Sequence, residues 1–215
     1  MTTTTVHPGW RVQLAVHRAV RRDLHRLSAA LESGDGTRTP AIIDYWTVTH
    51  HQLHEHHVLE DTVVWPLMRE RLGSAVDSLL DRNAQEHQDM SAAMDQFGAA
   101  VASMTTDPAV ARAALEHLGQ VVETHLAHEE ADVLPLIPDA FTMEDVAFFS
   151  AEAAMTNPPP EFLPWLLDDA PEVDVAFFTG PMPPPVLEEL RSSWTPRWQM
   201  KVDALDPSTT IPSQR

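Results

Sequence analysis

One eleven-residue phrase occurs twice in this chain. Residues 56–66 read HHVLEDTVVWP and residues 125–135 read HLAHEEADVLP. Each opens on a His (His56, His125) and places a Glu four residues on (Glu60, Glu129). Each follows it with a second acid (Asp61, Glu130) and closes on a Pro ten residues after the His. Residues four apart stand one above the other on a helix. Each phrase therefore sets an imidazole and a carboxylate on one helical face, a spacing at which both can ligate one metal site. One copy is a weak signal, because His and Glu are common on solvated faces. Two copies in equivalent contexts are a strong one.

The flanking sequence is patterned for helices. After Pro8, Trp10, Leu14, His17, Val20, Leu24, Leu27 and Leu31 recur at intervals of three and four, the seam of a bundle helix. A loop with two Gly and a Pro ends it. The second seam runs Ile42, Trp46, Thr49, Leu53, His56, Glu60, Val63, Leu67, ending near residues 71–73. The third is Leu80, Asn83, His87, Met90, Met94, Phe97, Val101, ending near TTDP. The fourth is Ala111, Leu115, Leu118, Val122, His125, Glu129, Asp132, Leu136. Four helices of similar length with short links predict an all-α, antiparallel up-down-up-down four-helix bundle over residues 8–138. At about 1.5 Å rise per residue, His17, His56, Glu60, His87, His125 and Glu129 fall at one height. His17 and His56 lie 39 residues apart, His87 and His125 38 apart, as an internal duplication of a helix pair predicts.

Residues 139–215 form a Pro-rich, partly helical C-terminal extension. TMEDVAFFSAEAAM reads as a short helix, FFTGPMPPP as turn-like, and 185–205 as a last helix. The extension carries Trp165, Leu166, Leu167, Phe177, Phe178, Trp194 and Trp198. That much apolar surface predicts packing on the bundle or on a partner, a homodimer through the extension included. Residues 1–7 and the end from Asp206 read as loose.

Composition narrows the function classes. A formal charge of −18 excludes nucleic acid and anionic lipid as natural partners. With no Cys there is neither a disulfide framework nor a thiolate metal site. No apolar run is long enough to span a bilayer and the first residues lack a signal-peptide pattern, which predicts a cytoplasmic protein.

Six ionisable side chains in one core layer are costly unless compensated. Two divalent or trivalent ions would remove the cost, with the Glu pair bridging and two His on each ion. Imidazole and carboxylate donors suit iron, and also manganese or zinc.

The ordered pieces resemble the hemerythrin-like (HHE cation-binding) family. They are His17 on the first helix, HHxxED on the second in place of the usual HFxxEE, EH on the third (Glu86–His87), and HxxxEE on the fourth. The tail with LPWLLDDA is similar to that of hemerythrin-like proteins from high-GC bacteria. The resemblance implies two non-haem irons, oxo- and carboxylate-bridged, held by His17, His56, Glu60, His87, His125 and Glu129. It also implies a small-molecule ligand such as O2, H2O2 or NO, with a catalase-like or other oxidoreductase activity as one outcome. Two alternatives stand beside it: a di-iron oxidase acting on an organic substrate, and a metal- or gas-responsive sensor.

One departure is Ser91, where oxygen-carrying members have a further His one turn after the third-helix His. A site one imidazole short is expected to be more open, favouring peroxide or NO over oxygen carriage. His50, His51, His54, His57 and His128 read as solvated or at most supporting, with His57 dispensable for metal. Tyr45, Met90 and Met94 read as packing. Arg18, Arg21, Arg22 and Arg26 read as a solvated basic strip, and PMPPP as a connector.

Overall fold

The computed structural model describes residues 7–34, 36–104, 108–206 and 208, and among them it is all-α, without a strand. Of the loose ends expected at 1–7 and from 206, residues 1–6, 207 and 209–215 lie outside the described residues, as do residues 105–107 of the link after the third rod. Helix α1 spans Pro8–Glu32. The His7 side chain caps it by accepting from the Gly9 N–H at 3.2 Å, and Pro8 occupies the first turn, where a missing N–H is harmless. Helix α2 (Thr39–Leu59) passes through a π-turn (Glu60–Val64) into α3 (Trp65–Leu72). This rod stops at Gly73, whose φ of 69° is left-handed. Helix α4 is Asp77–Ala102. Helix α5 (Ala109–His128) runs through a second π-turn (Glu129–Val133) and a 3-10 turn to α6 (Ile137–Ala140).

α1 and α4 each pack on both α2 and α5, so every rod has two neighbours. Two apolar clusters result. One holds Val20, Leu27, Ile42, Leu53, Phe97 and Leu118. The other holds Trp65, Met68, Leu80, Val133, Leu134 and Ile137. Along α2 the first cluster precedes the phrase's His, along α5 it runs to Leu126 just beyond it, in both the second follows the Glu, and along α4 the order reverses. The polar layer lies between them.

The π-turns follow from the repeated proline. Proline donates no N–H, and its ring collides with the carbonyl four residues earlier. In each phrase the helix widens ahead of it: Trp65 N–H donates to the Glu60 carbonyl, and Leu134 N–H to that of Glu129. A third π-turn, Leu190–Trp194, precedes Pro196, again starting six residues before the proline, and no candidate ligand stands there. Proline is therefore sufficient cause. In the phrases the widening begins at the carboxylate residue, a placement typical of functional sites.

The extension is more helical than its prolines suggest. Beyond α7 (Met143–Thr156), which opens on a Thr142–Asp145 capping box, it forms α8 (Pro159–Leu167), α9 (Glu172–Thr179) and α10 (Pro184–Glu189). After the third π-turn comes α11 (Thr195–Leu205). Thus the stretch read as turn-like is partly helix α9, because the prolines cluster at first turns, where they are tolerated. Trp165 and Leu166 are fully buried in the bundle's first cluster, with Trp198 beside them. Burying one such indole is worth at most about 4–6 kcal/mol. The Trp165 indole N–H donates to Asp23 at 2.7 Å, and Tyr45 and Thr49 hydroxyls donate to the same carboxylate.

The arginines of α1 are not a solvated strip. Arg18 and Arg22 donate to the Leu166 and Trp165 carbonyls, Arg26 binds Asp168 and Asp169, and Arg21 holds Glu123 and Glu130. Arg18, Arg22 and Arg26 answer the carbonyls at the end of α8 and the acids that follow it, and Arg21 answers acids of the fourth rod, partners that no pattern on α1 reveals.

Candidate metal centre

Each expected ligand is carried by a different turn of the four rods, and the rods bring all six together. His17, Glu60, His125 and Glu129 are at most 1 % exposed, His87 5 %, and the His56 side chain 8 %. Each carboxylate lies between imidazoles of both helix pairs. Glu60 is 3.3 Å from His56 Nε2 and 3.6 Å from His87 Nε2; Glu129 is 3.3 Å from His17 Nε2 and 3.5 Å from His125 Nε2.

A seventh residue joins them. His57 is 6 % exposed, stacks on His87 with ring centroids 4.2 Å apart, and meets His125 edge-on at 5.4 Å. This corrects its reading as a solvated residue. A rod with two neighbours buries a stripe at least 100° wide, broader than a strict three-four seam. His56 faces α1, touching His17 at 5.6 Å, while His57 faces α4 and α5. The HH doublet was the available signal. Five imidazoles therefore converge, although Ser91 is exposed, and the expectation of a site one His short falls. The remaining outer histidines differ: His54 is exposed, His51 meets the Thr156 carbonyl at 3.0 Å, and His50 packs edge-on against Trp46.

The second acids and Glu86 back the rings. Nδ1 of His17 lies 3.0 Å from Glu130, Nδ1 of His87 2.9 Å from Asp61, and Nδ1 of His125 3.1 Å from Glu86. Glu86 also takes His128 Nδ1 at 2.6 Å. With Nδ1 donating to a carboxylate, the neutral ring keeps its lone pair at Nε2, the arrangement that orients and strengthens a metal-binding imidazole. Glu60 accepts from the Gln13 amide.

Without a cation the layer is electrostatically frustrated. Burial pushes the Glu60 carboxyl well above its ordinary range, helped by Glu129. Burial opposes the charge of His17 too, yet Glu129 and Glu130 overcome it and raise its pKa to about 9. Glu129 goes the other way: against its burial, His17 and His125 hold it well below the carboxylate range. Burial and the neighbouring His17 charge push His56 down to about 3.

The donor set fits cations. The Nε2 atoms of His17, His56, His57, His87 and His125, Oε2 of Glu60 and both oxygens of Glu129 are buried without a hydrogen-bond partner. Ligand atoms of His57, His87 and His125 lie within 4.8 Å of one another, as do those of His17, His56 and Glu129, and of His56, His57 and Glu60. Buried polar atoms are rarely orphaned, and these share one layer.

A cavity of about 100 Å³ borders the layer on the α1–α2 side, touching His56 and Glu60 and roofed by α7. Among the described residues no helix is long and apolar enough to cross a membrane.

Neither the curated proteins nor the solved structures contain a significant match to this chain. The model of the hemerythrin HHE cation-binding domain, however, matches residues 9–137, which hold all seven converging residues and the acids behind them. On that match the chain belongs to the hemerythrin HHE cation-binding family.

Proposed function

We propose that this protein is a non-haem di-iron protein that binds or turns over a small molecule such as O2, H2O2 or NO. His57, His87 and His125 would hold one ion and His17 and His56 the other. Glu60 and Glu129 would bridge, all within an up-down-up-down antiparallel bundle. The observation that supports it is the set of five buried imidazole Nε2 atoms and three carboxylate oxygens, one of Glu60 and both of Glu129, left without partners in one layer. Histidine and carboxylate without thiolate suit iron. Bound iron would supply Lewis acidity and one-electron redox chemistry at the layer. Glu130, Asp61 and Glu86 fix the orientation of His17, His87 and His125. Gln13 holds one oxygen of Glu60. The proposed setting is cytoplasmic.

Five imidazoles remove the ground for preferring peroxide or NO over oxygen. The decisive experiment is metal analysis and optical spectroscopy of protein expressed with iron, followed by peroxide titration. About two irons per chain with oxygen release from peroxide supports a peroxide-consuming centre. Two irons without release moves the weight to O2 or NO, and a folded protein without metal sinks the reading.

A second reading, oxidation of an organic substrate, is favoured by the cavity, whose wall includes Phe141, Phe149 and Phe162. The sensor alternative has less support, because releasing the extension means exposing Trp165 and breaking its bond to Asp23.

A further inference from the structure

The cavity beside His56 and Glu60 is built by two parts of the chain. Gln13, Val16 and Gln52 line it from the bundle; Phe149, Ala153 and Asn157 line it from α7 and its end. Its wall is largely apolar, yet two lining amides are more than nine-tenths buried and under-used. Gln52 is 3 % exposed with neither amide atom partnered, and Asn157 is 7 % exposed with Oδ1 unpartnered. Buried donors and acceptors without partners are unfavourable unless something in the site meets them.

We propose, building on the metal-centre reading above, that this cavity binds a small uncharged molecule with a short alkyl chain and a hydroxyl-type head, a short alcohol or alkyl hydroperoxide. Size sets the chain length. A cavity of roughly 150 Å³ takes benzene, so about 100 Å³ accommodates some four or five non-hydrogen atoms, on the order of the same packing. Charge excludes anions, because Glu55 lines the cavity in a protein of net charge −18. Hydrogen-bonding capacity sets the head. Asn157 Oδ1 needs a donor, and Gln52 offers both a donor and an acceptor, which a hydroxyl matches. Water satisfies the amides equally well but leaves Val16, Leu59 and Phe149 wet, whereas an alkyl chain covers them.

The test is equilibrium binding, by ligand-observed NMR, of propan-1-ol and ethyl hydroperoxide to the protein as isolated. Acetate serves as the charged control of the same size. The expected result is saturable binding of at least one neutral probe, with acetate at least tenfold weaker. The tighter neutral probe distinguishes an alcohol from a hydroperoxide ligand. Ala153→Leu, which fills the cavity, should weaken binding tenfold or more with metal content and circular dichroism unchanged. Gln52→Leu should weaken it about tenfold through the lost hydrogen bonds. Should Ala153→Leu not fold, Ser150→Phe obstructs the same space. No saturable binding of either neutral probe, acetate binding as tightly, or unchanged binding in a folded filled variant would each overturn the proposal. Metal content of the same samples is read separately. A wild-type protein that binds the probes without metal sinks the metal reading and leaves the cavity standing.

Discussion

The two helix pairs carry the same phrase and border it with opposite surfaces. In the α4–α5 pair the residue before His87 is Glu86, and the third residue after His125 is His128. Glu86 bonds both His128 and the back of His125, and the pair closes that flank with polar groups. In the α1–α2 pair the equivalent residues are Val16 and Leu59. Both are apolar, and both line the cavity beside His56. The residue after each phrase's first His differs as well. His57 reaches across to His87 and His125, whereas its counterpart Leu126 is buried in the first apolar cluster. A duplicated frame thus keeps the inward positions alike. Substitution at the flanking positions makes one side a braced wall and the other an approach.

The largest expected effects test what the halves share. Glu60→Ala and Glu129→Ala should each cost most of the bound metal, measured by elemental analysis of folded protein. Full retention in either variant would break the equivalence of the two carboxylates. His57→Ala tests what they do not share. It should remove about one ion of two, and retention of both would return His57 to a packing role. On the braced side, Glu86→Ala should lower metal affinity by roughly ten- to a hundredfold, the usual effect of losing an orienting carboxylate. Val16→Ala on the cavity side should leave affinity nearly unchanged. Equal losses would erase the contrast.

Proton linkage gives a finer test. In the metal-free layer His17, with its pKa raised to about 9, holds a proton at neutral pH, and burial beside Glu129 raises Glu60 well above its usual range, so protons compete with metal at both groups. Metal must displace them, so affinity rises with pH from neutrality toward about 9 and falls in acid. Uptake at pH 7 in weak buffer should acidify the solution, with about one proton per chain coming from His17; uptake without acidification would contradict the protonation pattern. The smallest expected effect concerns the extension. Trp165→Phe removes one donor from the buried Asp23 carboxylate and should cost about 1–3 kcal/mol in chemical denaturation, with metal content unchanged.

Much of this was legible in the chain. Three-four spacing gave the four rods, because a helix that buries one stripe must repeat its apolar residues at that period. The doubled phrase marked His56, Glu60, His125 and Glu129, and the seams of the first and third helices added His17 and His87, because equal helix lengths place all six at one height. The clustering of prolines around 158–160 and 183–185 hid α8 to α10, since proline stops a helix interior but suits a first turn.

What the tertiary structure alone decided was which neighbour each flanking side chain meets. His57, Asp61, Glu86 and Glu130 all stand beside a ligand position in sequence, and nothing local tells a residue facing water from one facing the next rod. Ring order places His57 on His87 and Asp61 behind the same ring. Arg18, Arg22 and Arg26 meet the carbonyls and acids of a segment more than 140 residues away. The cavity exists only because α7 folds back over Val16 and His56. Periodicity records how each helix divides between core and surface; the identity of the partner across an interface is set by how the rods pack, which no single helix encodes.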